Sequence, residues 1–296
     1  MKLLRAMGLF LLLLVLATAA VLLINRTNGK IISSGETRRY LLHVPKDLDQ
    51  SQPVPLVITI HGFAHWPANQ MNVSQWNPIA DREEFIVVYP SGTGFPKRWL
   101  AFPQQSFDTS KDVIFISDLI DSLSTQYNID PARIYVNGLS NGGGMTFLLG
   151  CELADRIAAT GTVAGAFILP MESCNASRPM PLIAFHGTAD PIVPFAGGPS
   201  SGFDLPFPNI PQWMSARAEL NGCGATPEVL PAIGMVSGVR YTVCEDDAEV
   251  VFYTIEGGGH TWPGGNPLPK SIAGYTSMDI SASETMWKFF EKYTLP

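Results

Sequence analysis

Charged residues are scarce in this 296-residue sequence, where Asp, Glu, Lys and Arg make up only 15%, against about 25% in ordinary soluble domains. Lysine and arginine form no cluster, and the formal net charge is -7. Because a nucleic-acid-binding protein needs a basic surface against the phosphate backbone, that class is excluded. The 27 glycines and 24 prolines are scattered, without a collagen period or a low-complexity run, which argues against a disordered chain.

The amino terminus carries a long apolar run. Lys2 and Arg5 form a basic head, and no charged side chain follows until Arg26. A basic head followed by leucines and small residues is typical of a secretory signal peptide, and the run is close to the roughly 20 residues of a membrane-spanning helix. The sequence therefore predicts a signal peptide or signal anchor over residues 1–24, with residues 6–24 in the membrane in the second case. Either way, the rest of the chain is secreted or faces the extracytoplasmic side.

Cysteine is rare, with four residues in the chain and none before Cys151. An even number of cysteines in an exported chain is typical of disulfides, although four cysteines permit three pairings. We expect neighbours to pair, Cys151 with Cys174 and Cys223 with Cys244. Two pairs of reduced, buried thiols are the alternative. Neither spacing fits a C-x-x-C zinc or redox motif, so no metal site is expected.

Short apolar segments alternate with helical patterns along the rest of the chain. Leu56–Ile60 and Leu182–His186 are typical of buried strands, and Asp112–Tyr127 repeats apolar residues at the spacing of a helix face. Because such alternation requires crossover connections, we predict a single α/β domain over residues 25–296, with a mainly parallel twisted sheet and helices on both faces. Pro191–Pro211 fits none of these elements and is predicted to be a long loop.

The pentapeptide G-x-S-x-G occurs twice, around Ser140 and around Ser200. A nucleophilic serine in this motif sits on a tight turn between a strand and a helix. Ser140 follows the predicted strand Arg133–Val136 and precedes a predicted helix, whereas Ser200 lies in the proline-rich loop. We therefore predict that Ser140 is the nucleophile. The alternative is a glycine-rich turn without chemistry.

A serine nucleophile needs a general base that is oriented by a third group. The chain has five histidines, and four of them lie in an extended segment, beside a loop or at the end of a strand: His43, His61, His65 and His186. His260 instead follows Gly257–Gly259, directly after the predicted strand Val250–Ile255. Glycines there free the backbone to project a side chain over the carboxyl edge of the sheet. We predict that His260 is the base, with an ordinary surface-loop histidine as the alternative.

The acid and the oxyanion donors follow from the positions of the base and nucleophile. In the chain order Ser…Asp…His of the α/β-hydrolase fold, Asp190 lies just past a predicted strand and is the predicted acid. The alternative is that it only forms a turn ahead of Pro191. The developing oxyanion needs preformed donors, for which we predict the backbone N–H groups of Asn141 and Phe63, with Ala64 less favoured than Phe63.

Together these segments resemble the polyhydroxybutyrate depolymerase and feruloyl esterase group of α/β hydrolases. The likeness runs from about Arg38 to the carboxyl terminus. It rests on His61-Gly62, Tyr89-Pro90, Gly138-Leu-Ser140-Asn-Gly-Gly143, His186-Gly-Thr-Ala-Asp190 and Gly257-Gly-Gly-His260-Thr-Trp262-Pro-Gly264.

This resemblance implies an α/β-hydrolase fold with Ser140 as nucleophile, Asp190 as acid and His260 as base. It also implies that Trp262 is a wall of the acyl pocket and that cysteines near the site are paired. Trp99 stands where the group often has a tryptophan, and we expect it to bind substrate as well.

The function implied by the resemblance is that of an exported serine esterase. Such an enzyme hydrolyses small or oligomeric carboxylic esters, such as hydroxyalkanoate oligomers or feruloyl-type esters, through an acyl-enzyme and without a metal or organic cofactor. Phe63 stands where polymer-degrading members often carry cysteine or glycine, which favours a soluble ester. A serine peptidase of the same fold and a catalytically silent binding module are the alternatives. We expect the protein to be a monomer.

Overall fold

A ten-stranded mixed β-sheet runs through the protein. The computed structural model describes residues 26–101, 110–200 and 205–295. In chain order the strands are β1 (Gly29–Ser33), β2 (Glu36–His43), β3 (Val54–Ile60), β4 (Ile86–Pro90), β5 (Ile129–Leu139), β6 (Ala159–Val163), β7 (Leu182–Gly187), β8 (Glu228–Ile233), β9 (Val236–Tyr241) and β10 (Val250–Ile255). Across the sheet their order is β1-β2-β4-β3-β5-β6-β7-β10-β9-β8.

The middle of the sheet is parallel and its two edges are antiparallel. Strands β4, β3, β5, β6, β7 and β10 lie side by side in parallel, whereas β1 and β2 at one edge and β9 and β8 at the other pair antiparallel. The parallel strands place their carboxyl ends at one edge of the sheet, where crossover connections begin. The prediction of a mainly parallel sheet is confirmed.

Strand β3 shows why the central strands form where they do. All seven of its residues are buried, because helices cover both faces of a parallel sheet and leave neither face open to water. Successive residues point to opposite faces. Val57 therefore joins one hydrophobic core, whereas Leu56 and Ile58 join the other.

Helices cover both faces, as the sequence predicts. In chain order they are α1 (Pro67–Ser74), α2 (Trp76–Glu83), α3 (Ser110–Ser124), α4 (Asn141–Glu152), α5 (Ile210–Leu220), α6 (Lys270–Ala273) and α7 (Ala282–Phe290). Helices α1, α2 and α7 bury side chains on one face, around Trp76. Helices α3, α4 and α5 do so on the opposite face, around Phe115 and Trp213.

Helix α7 illustrates how side-chain spacing selects the buried face. Ser281 caps its amino terminus by accepting a hydrogen bond from the Glu284 N–H at 3.3 Å. Met286, Phe289 and Phe290 follow at the spacing of neighbours on one helix face, and all three are buried. The spacing of these apolar residues therefore sets which face of α7 packs into the core.

Two disulfides join Cys151 to Cys174 and Cys223 to Cys244. The first ties α4 to the segment between β6 and β7, and the second ties the end of α5 to the segment after β9. The predicted pairing of neighbours is confirmed, and no cysteine is left free. Loops of 23 and 21 residues correspond to about 3 kcal/mol of stabilisation each in the chain-entropy model.

Two predicted segments lie wholly or partly outside the described residues. Residues 1–24, predicted as a signal peptide or anchor, lie outside the described residues. Among the helices of the described ranges, none combines the length and apolarity that crossing a bilayer requires. The predicted loop Pro191–Pro211 is described except for residues 201–204, and it is irregular until α5 begins at Ile210.

Candidate active site

Ser140 lies on the sharp turn between β5 and α4. Its backbone has φ 58° and ψ −120°, a conformation that non-glycine residues rarely adopt and that costs on the order of 1–3 kcal/mol. The Ser140 carbonyl accepts hydrogen bonds from the N–H groups of Gly143 (2.8 Å), Gly144 (3.1 Å) and Ala166 (2.9 Å). These bonds hold the turn, and the serine itself remains partly exposed.

The glycines of the motif are a steric requirement of this turn. A Cβ atom on Gly142 would collide with the Ile60 carbonyl of β3, and one on Gly138 would collide with the Gly142 carbonyl. The second G-x-S-x-G sequence differs, because among the described residues the segment that leads into Ser200 is irregular and no strand directly precedes this serine. Within the described ranges, the strand-turn-helix setting expected of a nucleophile is thus present at Ser140.

Asp190 and His260 meet beyond the carboxyl ends of β7 and β10. The Nδ1 atom of His260 lies 2.8 Å from Oδ2 of Asp190, and the Asp190 carboxyl group is completely buried. Its other oxygen, Oδ1, accepts hydrogen bonds from the N–H groups of Ile192 and Val193, both at 2.8 Å. The carboxylate is therefore oriented by its own turn before it contacts the imidazole.

The surroundings of Asp190 favour its ionised form. Burial alone raises the pKa of Asp190, but the charge and hydrogen bond of His260, together with His186, outweigh burial and lower it. An ionised carboxylate can only accept hydrogen bonds, so Nδ1 of His260 donates to Asp190, and in the neutral ring Nε2 then carries the lone pair. That is the tautomer of a general base.

His186 contacts both Asp190 and the turn that follows it. Its Nε2 atom is 2.9 Å from the Val193 carbonyl and 3.5 Å from Oδ2 of Asp190. Because a carbonyl can only accept, Nε2 carries the ring proton. Burial is the main cause that lowers the pKa of His186, so the ring is neutral and braces the turn that follows β7.

The three predicted residues all follow parallel strands at their carboxyl ends: Ser140 after β5, Asp190 after β7 and His260 after β10. Within the described residues a hydrogen bond joins His260 to Asp190, and none joins Ser140 to His260. Catalytic hydrogen bonds are often long in a ligand-free enzyme and tighten only when substrate binds. The arrangement is that of an alcohol, an imidazole and a carboxylate at one sheet edge.

The predicted oxyanion donors lie on two neighbouring elements. Asn141 is the first residue of α4, where backbone N–H groups have no partner within the helix. In the loop after β3, Ala64 N–H donates to the Lys97 carbonyl at 2.8 Å and is therefore occupied. The assignment of Phe63 and Asn141 as the oxyanion donors stays a prediction.

A hydrogen-bond network holds these two elements together. The side chain of Asn141 bonds both backbone groups of Trp99, with Oδ1 accepting from N–H at 2.7 Å and Nδ2 donating to the carbonyl at 3.2 Å. Trp99 Nε1 donates to the His61 carbonyl at 3.0 Å. His61 Nε2 accepts from Gly92 N–H at 2.9 Å, so its Nδ1 donates to the Gly62 carbonyl at 2.8 Å. This places His61, Trp99 and the Asn141 side chain as positioning residues, a role that the sequence does not reveal.

The neutral His61 ring makes the protein sensitive to acid. Burial is the largest cause that lowers the pKa of His61 from 6.5 to about 3. Between these values the unfolded chain binds a proton that the folded chain does not, so stability falls as pH falls. We expect this group to contribute a slope of up to about 1.4 kcal/mol per pH unit in the free energy of unfolding. Urea unfolding at pH values between 7.5 and 4.5 measures the slope.

The His61→Gln variant isolates that contribution. Its free energy of unfolding should be lower at neutral pH, because the loop contacts are weakened, but should change less steeply below pH 6.5. The Asp190 carboxyl group also makes stability fall as pH falls. Its pKa is lower in the folded than in the unfolded state, so it stabilises the fold above its unfolded pKa. This stabilisation is lost as pH falls through the folded pKa. An unchanged slope in the variant would contradict the assignment of the buried neutral ring.

Trp99 and Trp262, the tryptophans expected to line the substrate pocket, are 0% and 1% exposed. Trp262 Nε1 donates to Ser283 Oγ at 3.0 Å, and that hydroxyl donates to the Ser74 carbonyl at 2.5 Å. Trp262 therefore joins α7 to α1 within the core, and Trp99 supports the loop described above. Their contact with substrate stays a prediction. Across the described ranges, no group of three or more His, Cys, Asp or Glu side chains could hold a metal ion.

Comparison with known sequences identifies relatives along most of the chain. A family model described as Esterase PHB depolymerase matches residues 39–196. The esterase NocK of Nocardia uniformis subsp. tsuyamanensis, named as putative, is 30% identical over 283 residues, which cover 89% of this chain and 82% of NocK. Feruloyl esterase B of Piromyces equi is 30% identical over 233 residues, covering 75% of this chain but 42% of that protein.

A third relative and two solved structures are also similar to this chain. Poly(3-hydroxyalkanoate) depolymerase C of Paucimonas lemoignei is 25% identical over 273 residues, covering 84% of this chain and 65% of that protein. The acetyl xylan esterase of Aspergillus awamori superposes with a TM-score of 0.61 at 16% identity, covering 89% of this chain and 98% of that one. A thermostable esterase gives 0.60 at 19% identity, covering 92% and 64%. These structures share the predicted α/β-hydrolase fold, which is thereby confirmed.

Proposed function

The chain belongs to the PHB depolymerase family of esterases, and from that premise we propose that it is a serine esterase acting through Ser140, His260 and Asp190. The observation that carries the proposal is the buried 2.8 Å contact between Asp190 and His260. It lies at the sheet edge where Ser140 occupies a strained turn. Carboxylic ester hydrolysis is the reaction of the family, and the finer assignment of roles is our proposal.

Acylation uses the lone pair on Nε2 of His260. As Ser140 Oγ attacks the ester carbonyl carbon, its proton passes to Nε2, and the carbonyl oxygen becomes an oxyanion that accepts hydrogen bonds from the N–H groups of Phe63 and Asn141. Asp190 remains ionised and stabilises the imidazolium. When the tetrahedral intermediate collapses, the bond to the alcohol oxygen breaks and Nε2 returns its proton to that oxygen.

Deacylation repeats the same steps with water. His260 Nε2 accepts a proton from a water molecule whose oxygen attacks the acyl carbon of the Ser140 ester. The second tetrahedral intermediate then releases Ser140 Oγ, which regains a proton from Nε2, and the carboxylic acid leaves. Each cycle consumes one water molecule and restores the neutral imidazole, so the chain's own residues complete the reaction.

Substrate class and cellular location are part of the proposal. Relatives named as feruloyl esterase and poly(3-hydroxyalkanoate) depolymerase support small or oligomeric esters of aromatic or hydroxylated acids. The two disulfides support an oxidising compartment outside the cytoplasm. Export through residues 1–24, whether these are cleaved or retained as an anchor, is consistent with this location and with such substrates.

Labelling with a fluorophosphonate probe tests the proposal. The probe should modify the purified protein at one position, and peptide mapping should find it on Ser140, because only an activated serine reacts. The Ser200→Ala variant should label as the wild type does, and Ser140→Ala should not label. A folded protein that takes up no probe would favour a silent binding module, and a label on Ser200 would reject Ser140 as nucleophile.

A further inference from the structure

A buried ion pair joins β2 to the first turn of α3 and has no part in the proposed mechanism. Nη2 of Arg38 lies 2.7 Å from Oδ1 of Asp112, and the two side chains are 9% and 0% exposed. Taking two charges out of water is costly, and replacing such a pair with well-packed apolar side chains is often neutral or stabilising. Stability alone is therefore a weak explanation for the pair, and its further contacts indicate another role.

The carboxylate of Asp112 holds the main chain beside Trp99. Its second oxygen, Oδ2, accepts a hydrogen bond from the Leu100 N–H at 2.8 Å. Leu100 follows Trp99, whose N–H and carbonyl are both bonded by the Asn141 side chain. Two sets of hydrogen bonds and one peptide link therefore connect Asp112 to Asn141, whose backbone N–H is one of the two predicted oxyanion donors.

The guanidinium group of Arg38 is connected to the loop of the other predicted donor. Its Nη2 atom also donates to the Ser91 carbonyl at 3.4 Å, directly after β4. The N–H of the next residue, Gly92, donates to Nε2 of His61 at 2.9 Å, and Nδ1 of that ring donates to the carbonyl of the residue after it. These contacts end next to Phe63, whose N–H is the second predicted donor.

Aromatic packing adds another link between the ion pair and Trp99. The guanidinium carbon of Arg38 lies 3.9 Å from the ring centroid of Phe115, which stands three residues after Asp112 on the same face of α3. Phe115 stacks on Trp99, with ring centroids 6.4 Å apart and planes 8° apart. Because a close-packed interior transmits strain, a displaced Arg38 side chain should also displace Trp99.

We propose that Arg38 and Asp112 are positioning residues for the oxyanion hole. The ion pair holds the main chain after β4 so that the N–H groups of Phe63 and Asn141 point to one common oxygen. Such donors act only within roughly 2.7–3.1 Å of the oxyanion, so a small shift of either one weakens binding of the transition state. This inference rests on the proposed function, because the oxyanion exists only in the proposed acyl transfer.

The Asp112→Asn variant tests the inference with p-nitrophenyl acetate as substrate. The amide can still accept one hydrogen bond, but it lacks the charge that holds the guanidinium group of Arg38. Removing a whole oxyanion donor lowers kcat about 10²- to 10³-fold, so displacing the donors should lower kcat by about 10- to 100-fold. KM should change less than about threefold, because the oxyanion is absent from bound substrate.

The Arg38→Lys variant is a milder second test. Lysine keeps the positive charge beside Asp112, but its ammonium group is not planar and cannot replace the guanidinium contacts with Ser91 and Phe115 together. We expect kcat to fall by about three- to tenfold, again with little change in KM. Because the charge is retained, this variant still tests the inference if Asp112→Asn does not fold.

A transition-state analogue gives a measurement that a merely structural role would not change. A trifluoromethyl ketone forms a hemiketal with the nucleophilic serine, and its former carbonyl oxygen then takes the place of the oxyanion. Its inhibition constant should rise in Asp112→Asn by about the factor by which kcat/KM falls. The inhibition constant of the corresponding trifluoromethyl alcohol, which the serine cannot attack, should stay unchanged.

Two control variants separate positioning from loss of stability. Asp130 likewise accepts from one arginine, Arg133 at 2.6 Å, and from one backbone N–H, that of Ala132 at 2.9 Å. It lies at the amino end of β5, away from the carboxyl edge of the sheet, so Asp130→Asn should keep kcat. Leu119→Ala removes volume from the buried face of α3 and should lower Tm without lowering kcat.

The outcomes distinguish this inference from the proposed function. If the folded variants at Asp112 and Arg38 keep wild-type kcat, the ion pair has no positioning role and the esterase mechanism stands. A similar loss of kcat in Leu119→Ala, or an equal rise of both inhibition constants, would also overturn the inference. A folded wild type that neither hydrolyses p-nitrophenyl acetate nor reacts with the fluorophosphonate probe rejects the proposed function itself.

Discussion

Replacing Ser140 with alanine is expected to lower kcat for a p-nitrophenyl ester by about 10⁴- to 10⁶-fold, because no other group in the site can form the acyl-enzyme. Steady-state kinetics measure the loss, and the burst of p-nitrophenol in the first turnover should disappear with it. The substitution removes only Oγ, so the backbone turn and its hydrogen bonds to Gly143, Gly144 and Ala166 are retained.

The control for this variant is a substitution at Ser200, the serine of the second G-x-S-x-G sequence. Ser200→Ala should keep wild-type kcat, because Ser200 lies in an irregular loop rather than on a turn that directly follows a strand. Thermal unfolding of both variants should stay close to that of the wild type, which shows that a loss of activity is chemical. Retention of substantial activity in folded Ser140→Ala would remove the basis of the mechanism.

Replacing Asp190 with asparagine is expected to lower kcat by about 10⁴-fold without unfolding the site. The amide oxygen can still accept from the N–H groups of Ile192 and Val193, so the turn is preserved. The amide NH₂ then faces Nδ1 of His260. This arrangement favours the tautomer with the proton on Nε2, and that tautomer cannot accept the proton of Ser140.

The structure offers a matched control for Asp190→Asn. Asp81 and His43 form a second Asp–His pair, at 2.7 Å, in an exposed position between α2 and β2. Asp81→Asn makes the same chemical change outside the site and should keep kcat within about twofold, since exposed pairs of this kind contribute little. Proton NMR of the imidazole N–H groups can report the tautomer directly. If Asp190→Asn retained more than a tenth of wild-type kcat, Asp190 would not be the acid.

The central strands and the catalytic candidates could be predicted because their signals are local. Parallel strands that are buried on both faces appear as continuous apolar runs, as in β3 and β7. The residues at their carboxyl ends then converge by topology alone, which is why Asp190 and His260 could be paired across 70 residues of sequence. The glycines around Ser140 are a further signal, because the turn requires them. The second G-x-S-x-G sequence, around Ser200, has the same glycines but does not directly follow a strand.

The elements that the sequence did not reveal bury polar residues or remain exposed. Helix α1 buries Gln70, which donates to Thr59 Oγ1 at 3.0 Å, so its inner face is not apolar. Helix α5 includes Arg217 on its buried face, and that charge interrupts the pattern formed by Ile210 and Trp213. In the β8–β9 hairpin at the sheet edge, β8 is largely exposed and β9 is partly buried, and an exposed edge strand gives little periodicity.

The positioning network could not be predicted for a different reason. Its bonds are made by backbone groups and ring tautomers, as when Asn141 bonds the main chain of Trp99. Composition and spacing do not encode which carbonyl a side chain reaches. Trp99 and Trp262 show the same limit. The family resemblance suggests that they bind substrate, but it does not predict that both side chains are buried.

The left-handed backbone at Ser140 also bears on how far this fold can be stabilised. Glycine would adopt φ 58° with little strain, so a position that can gain folding stability by substitution is the one that carries the reactive oxygen. Variants selected for heat resistance alone would be drawn toward loss of that oxygen. Thermostability and turnover therefore compete at this residue, and an engineered thermostable form should draw its gains from elements remote from the turn.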